Sequence, residues 1–87
     1  MDVRAQPWKD AELLGPRGVR FSFYGGVKEC FGVDRVEVDY GREAVTVTLF
    51  TGRVPGARVC IEIAELQAVD VRLGQPLGGR EIVDGAA

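Results

Sequence analysis

Cys30 and Cys60 are the residues of this 87-residue chain whose types come closest to chemistry. They stand apart rather than in a C-x-x-C pair, so the ligand spacing of a zinc site is absent. Two states fit them. A disulfide would close a loop of about 30 residues and contribute roughly 3–4 kcal/mol in the chain-entropy model. Two buried thiols would serve instead as small apolar residues. A catalytic cysteine lacks support, because no cationic cradle or histidine is near it in sequence.

The chain has no histidine. That removes the usual general base at neutral pH and the commonest metal ligand. The only serine, Ser22, falls within a strand pattern with no base to activate it. Asp34, Glu37 and Asp39 follow the alternation of a sheet and read as solvated. No catalytic, metal-binding or cofactor-binding residue is therefore assigned.

Two glycine-rich stretches, GRVPGAR and GQPLGGR, fail as phosphate loops. The first lacks the Gly-Lys-Ser/Thr ending of a P-loop, and the second lacks G-x-G-x-x-G spacing and precedes a strand. Both read as turns. Arg53, Arg58 and Arg80 beside them form a candidate binding loop for a small anion, held with loop N–H groups. Trp8 is a candidate aromatic anchor, read as a hydrophobic plug over the sheet in preference to a ligand-stacking residue.

The elements that must position these residues are mostly strands. Thirteen valines favour β-structure. The organising stretch is Val33 to Thr51, two strands folded at Gly41-Arg42. Val36, Val38 and Tyr40 alternate on the first arm, and Val45, Val47 and Leu49 on the second. A two-residue type II′ turn with Gly41 at φ > 0 sets Tyr40 opposite Glu43, Val38 opposite Val45 and Val36 opposite Val47. The other face, with Asp39, Thr46 and Thr48, reads as wet.

Val19, Phe21 and Phe23 form the inner face of a preceding strand, stopped by Gly25-Gly26. Residues 27–31 are a connector or minor strand. After the loop GRVPG, Ala68 to Leu73 is a strand and Glu81 to Asp84 a last short one. Short helical turns are expected near residues 7–14, where Pro7 precedes WKDAELL, and near residues 60–66, where IAELQA holds helix formers. Residues 1–18 are thus an N-terminal arm, partly ordered or a short helix. Residues 19–84 are a single β domain and 85–87 a frayed tail. The fold class is all-β: a small antiparallel sheet, sandwich or open barrel of four to six short strands.

The formal charge is −2, from 11 basic and 13 acidic side chains with the signs interleaved. There is no basic stripe to neutralise phosphates, which argues against nucleic acid as a partner. No apolar run approaches the ~20 residues of a membrane-spanning helix. MDVRAQPWKD has no signal-peptide core, so a soluble, cytoplasmic protein is expected. An extracellular or cell-envelope location is the alternative if the cysteines are oxidised.

The order FYGG, Cys30, VDRVEVDYGREAVTVTLFTG, PGARVC, then VDVRLGQPLGGREIVDGA resembles a group of small proteins of actinomycete (Streptomyces-like) bacteria. Its clearest mark is Pro-Leu-Gly-x-Arg followed by a short apolar strand ending in Asp-Gly. Here that is Pro76, Leu77, Gly78, Arg80, Ile82, Val83, Asp84 and Gly85, within a likeness covering about residues 19–86. The resemblance implies no activity, since the group has no assigned function. Some of its members carry secretion or lipid-anchor leaders, which are not expected here from the opening MDVRAQPWKD. Physically, Arg80 is expected to fold back onto Asp84 or onto loop carbonyls.

Together these readings give a non-enzymatic binding or protein-interaction module. A homodimer or protein partner would join through an edge strand. The alternative is a small-ligand or anion-binding domain using the arginine-bearing loops. An enzyme has the least support.

Overall fold

The computed structural model describes residues 3–28, 30–56, 60 and 63–86. These form β1 (Arg4–Gln6), β2 (Asp10–Leu13), β3 (Gly18–Gly25), β4 (Phe31–Tyr40), β5 (Ala44–Arg53), β6 (Glu65–Arg72) and β7 (Glu81–Asp84). In the first sheet β4 runs along one side of β5. On its other side β7 pairs with residues 44–47 and β1 with residues 49–51. The second sheet has the order β2-β3-β6. All pairings are antiparallel except β5 with β7, and neither sheet closes into a barrel. β7 is spared the antiparallel sense of a hairpin because it arrives from the opposite sheet through residues 73–80.

The core is the contact between the two inner faces. Val19, Phe21 and Phe23 of β3 meet Val45, Val47 and Leu49 of β5, with Leu73 closing one end. Each of these seven side chains is at most 2% exposed. The alternation seen in the sequence is the alternation of this burial, because a strand's side chains point to opposite faces in turn.

The β4–β5 register differs from the expected one by two residues. Tyr40 lies opposite Val45, Val38 opposite Val47 and Val36 opposite Leu49. A shift of two keeps every inner residue inside, whereas a shift of one would turn the hairpin inside out. The loop is correspondingly longer, and Gly41 N–H donates to Ala44 O at 2.8 Å. Gly41 is not among the glycines with positive φ, so the turn is not type II′. Its glycine answers to space instead: a Cβ there would stand 2.8 Å from Ala44 O. The register also slips between Val33 and Arg35, leaving Asp34 as a bulge near the start of β4.

Residues 7–14 do not form a helical turn. Asp10–Leu13 pairs with β3, and Arg4–Gln6 pairs with β5. Alanine and leucine favour helix locally, but the free edges of β3 and β5 offer backbone partners that a lone turn lacks. These two strands raise the count from the expected four to six to seven. Among the described residues near 60–66 no helix forms either. Glu65 and Leu66 begin β6, and Ile61 and Glu62 lie outside the described residues. At the C-terminus Gly85 and Ala86 are tied rather than frayed, by Gly85 N to Val47 O at 3.1 Å and Ala86 N to Asp84 Oδ1 at 2.9 Å.

Candidate functional site

At one end of the sandwich the inward columns change character at the same level. On β5 the series Val45, Val47, Leu49 continues as Thr51 and Arg53. On β1, Gln6 lies opposite Leu49 and Arg4 opposite Thr51. On β6 the series Val71, Val69 continues to Gln67, opposite Phe23, and Glu65 then faces Gly25. Core residues thus give way to polar and small ones in both sheets, and a cleft of about 390 Å³ opens between them. Its volume is at the lower end of small-molecule sites, roughly 300–1,000 Å³.

Gln67 is the buried polar group of this cleft, 9% exposed. Its Nε2 donates to Gly26 O at 2.7 Å and more weakly to Phe31 O at 3.4 Å. Those two carbonyls fix the amide orientation, because a flip would set Oε1 against them. Gly26 lets the Phe31 ring pack against its backbone, since a Cβ there would collide with that ring. Thr51 Oγ1 reaches Gln6 Oε1 at 3.5 Å, and Gln6 Nε2 donates to Pro7 O at 2.9 Å and Tyr24 O at 3.1 Å.

Arg4 and Arg53 carry the charge. They are diagonal neighbours across the β1–β5 pair, a relation that sets residues roughly 7–8 Å apart, within reach of one ligand for two long side chains. Neither forms an ion pair among the described residues. Arg53 Nη2 donates to Cys60 Sγ at 3.4 Å. Cys60 is joined to Cys30 by a disulfide with Cα atoms 5.9 Å apart. The bond ties the segment after β5 to the β3–β4 connector, where Cys30 is 1% exposed.

Of the other two arginines proposed from sequence, Arg80 does not join this site. Arg58 lies outside the described residues. Arg80 sits beside the start of β5, since Glu81 pairs with Ala44. Nine residues of strand separate Ala44 from Arg53, roughly 30 Å at the usual rise. Four hydrogen bonds hold the Arg80 guanidinium: Nε to Leu77 O at 2.9 Å, Nη2 to Pro76 O at 2.7 Å and Gln75 Oε1 at 3.0 Å, and Nη1 to Gly41 O at 3.2 Å. It folds onto loop carbonyls and not onto Asp84. Arg53, the last residue of β5, and Arg80, just before β7, therefore stand at opposite ends of β5.

Trp8 is an anchor inside the fold. Its ring centroid lies 5.0 Å from that of Phe21, and Nε1 donates to Val47 O at 3.1 Å. The outer faces of both sheets carry charged pairs, among them a bidentate Arg20–Asp70 contact. Hydrogen bonding from Arg20 holds the Asp70 carboxyl below its ordinary value, partly opposed by desolvation.

Arg4, Gln6, Thr51 and Gln67 were not singled out from the sequence. Arg4 and Gln6 become legible only once β1 is a strand. Gln67 carried a usable signal, because the odd-numbered series Leu73, Val71, Val69 runs back to it and places an amide on a core face. Among the described residues no group of three or more His, Cys, Asp or Glu is placed to hold a metal, and no helix is long and apolar enough to cross a membrane. No family model, curated protein or solved structure matches this chain.

Proposed function

We propose that the protein is a non-enzymatic binding domain that takes a small anion into the cleft between Arg4 and Arg53. The observation that supports this most is the pair of arginines on adjacent strands, without carboxylate partners among the described residues, at the mouth of a cleft with an aromatic wall. Arginine presents a planar fork suited to carboxylates and other oxyanions. The cleft's hydroxyl and amides can orient a ligand, and its guanidinium groups donate hydrogen bonds to it.

The test is a two-dimensional NMR titration with acetate, phosphate and sulfate at constant ionic strength. Shifts confined to Arg4, Thr51, Arg53 and Gln67, lost in the Arg4→Gln/Arg53→Gln double variant, support the reading. Absence of saturable shifts at the cleft with every anion would sink it.

A second reading rests on β4. It is ten residues long and pairs with β5 alone among the described residues, so its outer edge is open to a partner strand or a second copy. The Asp34 bulge and the charges of Arg35, Glu37 and Asp39 blunt that edge, which places this reading second. Light scattering over a wide concentration range tests homodimerisation; a constant monomer mass removes it. The Cys30–Cys60 bond is compatible with life in an oxidising compartment, the alternative to a cytoplasmic location.

A further inference from the structure

We infer that the ligand of this cleft is an N-acylated apolar α-amino acid, bound through its free carboxylate; the inference rests on the anion-binding reading. Three features of the cleft specify three parts of such a molecule. The paired guanidinium groups of Arg4 and Arg53 take the carboxylate. The half-buried Phe31 ring, with Gly26 packed against it, gives an apolar wall for a side chain.

Gln67 supplies the third. Its Nε2 is engaged by Gly26 O and Phe31 O, so the polar atom left to the cleft is the acceptor Oε1. Oε1 has no hydrogen-bond partner among the described residues, and it is not sealed from solvent. A ligand that carries an N–H beside its carboxylate satisfies it. A ligand without a donor leaves it facing an apolar group, which costs a buried acceptor its hydration. Inorganic phosphate has no apolar group for the Phe31 wall and no N–H for Oε1, so it fits less well than such a ligand.

This chemistry has two sources: a free N-acyl amino acid, or the C-terminal residue of a peptide, whose last amide supplies the same N–H. The experiment is an NMR titration of the whole chain with the disulfide intact, following the Gln67 side-chain NH2 and the backbone of Gly25, Gly32 and Thr51. The probes are N-acetyl-L-phenylalanine, 3-phenylpropionate (no donor), N-acetyl-L-phenylalaninamide (no carboxylate), inorganic phosphate and N-acetyl-Ala-Ala-Phe. The expected result is saturable binding of N-acetyl-L-phenylalanine, about tenfold tighter than 3-phenylpropionate, as one lost hydrogen bond of that size predicts. The amide should not saturate.

Equal affinity for the two carboxylates, or tighter binding of phosphate, overturns the inference and leaves the anion site standing. No binding by any anion overturns the site itself. Tripeptide binding at least as tight as the single residue assigns the source to a chain end; its exclusion assigns it to the free acid. The ligand series on the unaltered protein decides the matter even if Gln67→Leu fails to fold.

Discussion

The indole N–H of Trp8 donates to the backbone carbonyl of Val47 at 3.1 Å, and that same carbonyl accepts Gly85 N–H at 3.1 Å. One oxygen on the central strand thus gathers both ends of the chain. Asp84 completes the tie: Oδ2 accepts Trp8 N–H and Oδ1 accepts Ala86 N–H, each at 2.9 Å. Gly85 fits there because it has no side chain, since a Cβ would collide with Thr48 Oγ1. The Asp-Gly that ends the C-terminal motif is therefore a clasp for the N-terminal segment.

Replacing Trp8 tests that clasp. Trp8→Phe keeps most of the packing on Phe21 but loses the Val47 bond, an expected cost of about 1 kcal/mol. Trp8→Ala should cost roughly 3 kcal/mol, as aromatic truncations in cores do. Urea unfolding reads both; equal midpoints for wild type and Trp8→Ala would show that the ring is not part of the folding unit.

Arg80 makes a second clasp, at the start of β5. Three of its four hydrogen bonds close the segment before β7 on itself, and the fourth joins that segment to the β4–β5 turn at Gly41. Arg80→Ala should lower stability by about 1–3 kcal/mol. In a domain of this size each kcal/mol moves Tm by roughly 4–8 °C. Arg80→Lys should recover little, because an ammonium cannot span these acceptors. An unchanged Tm in Arg80→Ala would refute the clasp.

Reduction of Cys30–Cys60 should destabilise the fold by roughly 3–4 kcal/mol, since it frees a loop of about 30 residues in the unfolded chain. Intact mass after alkylation under denaturing conditions, without and then with reductant, reads the bond directly. Two alkylated cysteines before reductant would mean free thiols in the isolated protein. In the reduced protein the cleft should bind anions more weakly, because Arg53 leans on Cys60 Sγ.

Asp70 should titrate below the ordinary carboxylate range, because Arg20 hydrogen-bonds it. The folded pKa is depressed, so the pair's contribution is present above the unfolded value and is lost as pH falls through the folded one. Both groups are exposed, which keeps the contribution small. NMR titration should show the Asp70 midpoint rising in Arg20→Gln; an unmoved midpoint would mean the pair does not form in solution.

The hydrophobic alternation of Val19–Phe23, Val36–Tyr40 and Val45–Leu49 determined, from sequence alone, three strands and the face of each that is buried. Period-two patterning encodes side-chain direction directly, so no partner need be known. Glu81–Asp84, placed in sequence as a short strand after a turn-rich segment, is one, and Gly78 and Gly79 in that turn take positive φ. Tertiary structure decided the rest. The β4–β5 register turned on loop length, because a two-residue shift leaves the buried face unchanged and so leaves no trace in the pattern. Residues 4–6 and 10–13 became strands because two sheet edges stood ready to pair them, overriding a local helical preference. The cleft shows the same division. Arg53 is visible in the sequence as a loop arginine, but only the pairing of Arg4 with Thr51 and Gln67 with Phe23 brings its neighbours to one end of the sandwich. Those contacts join residues far apart in the chain, and local sequence carries no record of them.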